Sequence, residues 1–165
     1  MKQGLHKGVG VERLGLELAL AQYQLGQRTD SIATYEKIIT EIPNSALSKN
    51  NLSMILVDDQ ASESDINKAH TYVADLEKLE EAASLDTAGW VNFRAGNIAK
   101  SIEVLEKAVS LAPNAAELHY HLGFAYAAEG GDIEMAKQHL KIAAESDQNY
   151  NGKEKAKAKL KQLTI

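Results

Sequence analysis

The sequence predicts an all-α protein built from repeated helical hairpins, and three observations predict it. First, residues 88–123 hold two amphipathic patterns separated by a glycine turn, Ala95-Gly96-Asn97. In the second pattern Ile102, Leu105, Ala108, Val109 and Ala112 recur at three- and four-residue spacing, which is one face of a helix. Second, the same text stands 70 residues earlier. Gly26, Ser31, Ile32, Glu36, Lys37, Pro43, Asn44 and Ala46 match Gly96, Ser101, Ile102, Glu106, Lys107, Pro113, Asn114 and Ala116. Third, the two prolines of the chain are the ones that end these two copies. Glycine and proline punctuate helices, so the match is structural as well as textual.

A spacing of 70 suits two hairpins, and the intermediate copies are present in degenerate form. Residues 46–58 and 65–79 make one pair of helical patterns, and residues 116–129 and 133–146 make another. The period is therefore about 34–36 residues, the length of a helical-hairpin repeat. The expected organisation is a flexible lead over 1–10, repeats over 11–45, 46–81, 82–115 and 116–149, and a capping helix within 150–165. That makes nine helices.

Along the chain, the first helix runs from Val11 to Leu25 and is apolar on two faces. Leu14, Leu18, Ala21 and Leu25 form one stripe; Leu16, Leu20 and Tyr23 form another. Terminal repeats normally carry a polar outer face. This helix does not, so the chain reads as the C-terminal part of a longer array; the alternative is a homodimer through the first helix. In the second repeat Asp58-Asp59 sits at the negative end of the helix dipole, which predicts an early, frayed end. Ser64 is the expected N-cap of the helix that follows. Near the C-terminus Ala156, Leu160 and Leu163 make one narrow stripe among Lys153, Lys155, Lys157, Lys159 and Lys161, as a capping helix requires. A basic membrane-surface helix is the sharper alternative, but this apolar face is thin and lacks aromatics.

Composition narrows the function. The chain has 165 residues, 44 % of them apolar, with a net charge of −5 and no cysteine. A net acidic surface disfavours nucleic acid, whose phosphates need a basic footprint. Without cysteine there is no disulfide frame, thiol nucleophile or thiolate metal site. No apolar run reaches membrane-spanning length, and residues 1–10 do not read as a signal peptide. Residues 8–13 open like a dinucleotide loop but place Arg13 where the third glycine belongs. Residues 58–65 lack the central glycine and closing glutamate of a calcium loop. His119 and His121 are two apart on a helix and point to different faces, which is poor spacing for a metal. The sequence thus nominates no catalytic residue, cofactor or metal ligand.

The repeats resemble the tetratricopeptide repeat (TPR), whose signature is an aromatic, two residues on Leu-Gly, then Tyr, then Ala and a large apolar residue, and finally Pro. His119, Leu122-Gly123, Tyr126, Ala136, Leu140 and Ala143 fill it best. Ala88-Gly89, Gly96, Ser101, Leu105, Ala108 and Pro113 fill the third copy, and Leu18-Ala19, Gly26, Ser31, Tyr35, Ile38 and Pro43 the first. Leu52-Ser53, Leu56, Ala69, Val73 and Leu76 fill the second, while Asn92 stands where the family has an aromatic. The resemblance implies a right-handed α-solenoid whose first (A) helices line a concave groove for a protein or peptide ligand. The residues it nominates for that groove are Tyr23, Asn50, Met54, Trp90, Phe93, Arg94, Tyr120 and Phe124. Trp90 and Phe124 have a second reading, as packing between neighbouring A helices. The carboxylate clamp of chaperone-binding members is missing, because Leu16, Leu20 and Ala83 occupy its places.

Residues 46–145 are more closely similar to the C-terminal repeats of TPR lipoproteins in PEP-CTERM/exosortase exopolysaccharide systems. That likeness implies a non-catalytic scaffold in the periplasm or cell envelope, with this chain a fragment of it. The alternative is an accessory docking domain of a larger cytoplasmic enzyme or secretion complex.

Overall fold

The computed structural model describes residues 2–128 and 130–164, the side chains of residues 2–9 and 11 excepted. Among the described residues there are ten α-helices and no strand. The chain divides into two compact units, Met1–Tyr72 and Val73–Ile165.

In the first unit α1 (Lys2–Gln24) packs on α2 (Arg28–Glu41), α2 on α3 (Ala46–Leu56), and α3 on α4 (Glu63–His70). Tyr35, Ile38, Leu52, Ile55, Leu56 and Ala69 are buried. The α1–α2 contact is close at Ala19, whose carbonyl accepts the Ser31 hydroxyl at 2.7 Å. α1 begins at Lys2, so residues 2–10, expected as a flexible lead, are helical; Met1 lies outside the described residues. Once a helix is nucleated each further residue adds a hydrogen bond, and a glycine costs only about 1 kcal/mol relative to alanine. With no proline in residues 2–10, nothing stops the extension.

A polar hub closes this unit. α3 ends at Leu56, and Arg28 reaches across with Nε 3.0 Å from Asp58 Oδ2 and Nη2 3.1 Å from the Ile55 carbonyl. A cation thus meets both the carboxylate and the open end of α3, where the dipole is negative. This places Asp58 in an ion-pair network with Asp65, 3.3 Å from Arg28, instead of at a frayed helix end. Burial works against the Asp65 carboxylate, but hydrogen bonds from Ser62 and the charge of Arg28 prevail and hold it below its ordinary range. Ser62, not Ser64, caps α4, because it bonds the Asp65 amide while the Asp65 carboxylate returns to the Ser62 amide. Ser64 sits too late in the chain for that reciprocal box.

The second unit contains α5 (Val73–Glu77), α6 (Ala82–Arg94), α7 (Ile98–Leu111), α8 (Ala116–Tyr126), α9 (Ile133–Glu145) and α10 (Lys153–Thr164). Each packs on its chain neighbour; α6 also touches α8, and α8 touches α10. Ten helices stand where nine were expected, because the run from Asp65 to Leu79 is broken. The Thr71 and Tyr72 amides bond three residues back, to Lys68 and Ala69, and the Thr71 hydroxyl donates to the Lys68 carbonyl at 2.7 Å. Such tight bonds end the α geometry.

Two glycines set the helix spacing. A Cβ on Gly89 would stand 2.5 Å from Leu105 Cγ, and one on Gly123 would stand 2.7 Å from Leu140 Cγ and 3.1 Å from the Leu140 backbone nitrogen. The hairpin turns repeat as the sequence does. Gly26 and Gly96 have φ of +76° and +81°, which closes both helices through the same pair of bonds, Gly to Tyr23 or Phe93 and the next residue to Gln22 or Asn92.

Gly123→Val should drive the fourth pair apart at a cost of about 1–3 kcal/mol, read as a lowered urea midpoint. Arg28→Met should cost about 1.5–3 kcal/mol, since it leaves Asp58 and the Ile55 carbonyl without their charged donor; chemical denaturation of the variant measures it.

Candidate protein-binding surface

In the second unit the A helices α6 and α8 lie side by side, and the aromatic residues nominated by the sequence meet there. Trp90 stacks on Phe93 (centroids 4.8 Å apart, planes at 16°) and on His121 (4.3 Å, 24°), and takes Phe124 edge-on at 6.2 Å. Tyr120 stands 4.9 Å from Phe124 and 5.7 Å from Trp90. Phe93, Arg94 and Phe124 are partly open to solvent. Trp90 is 9 % exposed and Tyr120 only 4 %, so both belong to the inside of the wall. Tyr120 was expected on its surface. The segment before α10 covers it: a Cβ on Gly152 would lie 2.6 Å from the Tyr120 ring, and the Tyr150 ring sits 6.0 Å away.

The wall has a polar end, where sequence reasoning missed the pairing of Asp86 with His121. His121 Nδ1 donates to Asp86 Oδ1 at 2.7 Å, and both residues are buried. Glu117, one turn before His121, shares the stripe. Burial pushes its carboxyl above the ordinary value; His121 opposes this and Asp86 adds to it. The signal for this cluster was the spacing Glu117, Tyr120, His121, Phe124 on one helical face. The A-helix stripe therefore carries its aromatic rings between a carboxylate end and an arginine end.

In the first unit Tyr23, Asn50 and Met54 are half-buried. Tyr23 donates to Asp58 at 3.3 Å and thereby joins the Arg28 hub. Asn50 Nδ2 reaches Asn51 at 3.5 Å, and its Oδ1 is buried without a hydrogen-bond partner.

His119 and His139 form a second buried pair. His119 Nε2 donates to the Pro113 carbonyl at 2.9 Å, which leaves its Nδ1 to accept from His139 Nδ1 at 2.7 Å. Tyr126 lies parallel to His139 at 5.8 Å, and its hydroxyl, donating to Glu106, is pushed up to about 12 by burial and by that carboxylate. His119 and His121 do point to different faces. Among the described residues no group of three or more His, Cys, Asp or Glu gathers as metal ligands, and no helix is long and apolar enough to cross a membrane.

Comparison with known proteins bears on what these hairpins are. The family described as "TPR repeat" matches residues 91–130, and "Tetratricopeptide repeat" matches residues 15–45. Over those residues the chain carries tetratricopeptide repeats. No curated protein sequence matches it. Among solved structures, TTC0263, a thermophilic TPR protein of Thermus thermophilus, is 20 % identical over 92 % of this chain and 80 % of that one, with a TM-score of 0.72. MamA residues 41 to the end from Desulfovibrio magneticus RS-1 is 19 % identical over 83 % and 78 %, with a TM-score of 0.66. At these identities the likeness shows the fold, an all-helical TPR architecture.

Burial holds His139 below its ordinary value, and His119 adds to that, against a smaller upward pull from Glu106. A depressed folded-state histidine contributes stability that is present above about pH 6.5 and is lost as pH falls through its folded value. The midpoint of thermal unfolding should therefore drop between about pH 7 and pH 5, and the drop should be smaller in His139→Gln.

Proposed function

We propose that this protein is a non-catalytic scaffold that binds a protein segment on its A-helix stripes, chiefly the α6–α8 wall. The observation that carries the reading is the aromatic wall itself. Trp90 and Tyr120 are locked in place, Phe93 and Phe124 rest against them, and Phe93, Phe124 and Arg94 are partly open. A rigid support limits the entropy lost when a ligand docks. Aromatics and arginine on such a support are the composition of binding hot spots. Arg94 suits a ligand carboxylate, and the Asn50 carboxamide suits a backbone amide in the first unit. Tetratricopeptide repeats serve protein interaction, which supports the same reading.

The similarity of residues 46–145 to exopolysaccharide-system TPR lipoproteins supports a finer setting: part of a longer bacterial protein at the periplasmic face of the cell envelope. Cross-linking and capture from fractionated cells tests it; a partner set found only in the cytosol would favour the docking-domain reading.

Phe124→Ala should weaken capture of the ligand by about 1–3 kcal/mol while leaving circular dichroism unchanged. Phe93→Ala should do the same with some loss of stability, since Phe93 also packs on the cluster of Leu105, Leu122 and Ala125. Glu103, exposed on α7, is the control and should have no effect. Affinity that survives both phenylalanine truncations would move the site elsewhere.

A further inference from the structure

We propose that the carboxylate end of the α6–α8 wall seats an arginine side chain of the bound protein segment, its guanidinium set against Glu117 and the Tyr150 ring. The inference rests on the reading of the wall as the ligand surface and names the side chain that the ligand brings to it.

Glu117 carries the argument. It stands in the first turn of α8 and is half-buried. Beyond the electrostatic pull of His121, its carboxylate has no hydrogen bond or ion pair among the described residues. Asp86, buried on α6 and bonded to His121 at 2.7 Å, adds a second negative charge that acts on Glu117. Two carboxylates thus share one imidazole. The lysines at the start of the adjoining α10 are already engaged, Lys153 by the Ser146 carbonyl and Lys157 by Glu154. A carboxylate drawn out of water without a partner is costly, and a cation from outside removes the cost. The repeat itself does not call for an acid at this place, since Arg13, Leu47 and Ala83 stand there in the earlier copies. Glu154, which opens α10 as Glu117 opens α8, is exposed and paired with Lys157.

The ring beside Glu117 is held ready for a planar cation. Tyr150 is half-buried, 6.0 Å from the Tyr120 ring, and its hydroxyl donates to the Ala143 carbonyl at 2.9 Å. Gln148 ties the same segment to the start of α8. Its Oε1 accepts from the Ala116 amide and its Nε2 donates to the Asn114 carbonyl, both at 2.9 Å. Burial pushes the Tyr150 hydroxyl above its ordinary value, and the charges of Glu117 and Glu154 add to this, so Glu117 lies within electrostatic reach of the ring. A guanidinium stacks on an aromatic face and meets a carboxylate through two parallel N–H bonds. An ammonium offers a point charge and no such fork. Arginine therefore answers Glu117 and Tyr150 together, and the net charge of −5 favours its approach.

The probe is N-acetyl-arginine methylamide, titrated into the full-length chain and followed by heteronuclear NMR. The expected result is saturable shifts at residues 117, 121 and 150. The citrulline analogue, which keeps the shape and lacks the charge, should not saturate, and the lysine analogue should bind more weakly. Glu117→Gln should weaken arginine binding by about tenfold or more. Its urea midpoint should be no lower than the parent's, since the substitution removes an unpaired charge. Failure to saturate, equal binding of citrulline, tighter binding of lysine, or indifference to Glu117→Gln would overturn the proposal. Peptides selected on the full-length chain from a random phage library separate this inference from the wall reading. They should carry arginine at one fixed position and lose binding in both Phe124→Ala and Glu117→Gln. Peptides that need Phe124 but neither arginine nor Glu117 would sink this inference and leave the wall standing. Peptides indifferent to both substitutions would remove the two readings together.

Discussion

The distance between paired helices in the second unit is set by the absence of two side chains. Leu105 occupies the space where a side chain on Gly89 would be, and Leu140 does so at Gly123. Interiors are packed as densely as organic crystals, so a contact of this kind leaves no room for adjustment. It fixes how far α7 stands from α6 and α9 from α8, and with that the rotation of each A helix about its axis. The stripe one step around the helix, Trp90 and Phe93 on α6 and Tyr120 and Phe124 on α8, is therefore carried to one wall. Ring contacts between the two helices then hold it there.

Buried polar pairs refine that packing. His121 with Asp86, and His119 with His139 and the Pro113 carbonyl, lie among apolar neighbours, and their partners offset the cost of burial. Each pair ties α8 to another helix through side chains: to α6 in one case, to α9 in the other. Burial forces a specific donor–acceptor match on both, so α8 has one orientation that satisfies them together. In the first unit Arg28 does comparable work with charge, binding the end of α3 to the start of α4.

The first and last helices present different faces. α10 turns a narrow apolar face inward, with Ala156 fully buried, and keeps five lysines on its length. A helix so charged offers little apolar surface beyond that one narrow face. α1 offers Leu14, Leu18 and Leu20 to solvent, although Leu14 and Leu18 stand in register with buried positions of later copies.

Much of this was legible in residue order. Glycines at 26 and 96 and prolines at 43 and 113 recur because left-handed turns and helix ends demand those residue types, so the hairpins and their period were determined by the sequence alone. The apolar stripes, the last helix from Lys153, and the aromatic residues of α6 and α8 were equally plain, because a helix's period of about 3.6 maps spacing onto a face. Which of those aromatics faces outward was decided only by tertiary structure: Tyr120 shares its stripe with Phe124, yet the backbone at Gly152, far along the chain, covers one and not the other. The break after His70, the cap at Ser62 and the pairings of Arg28, His119 and His121 belong to the same class. Each rests on a partner that is remote in sequence or on a competition among local hydrogen bonds, and periodicity carries no information about either.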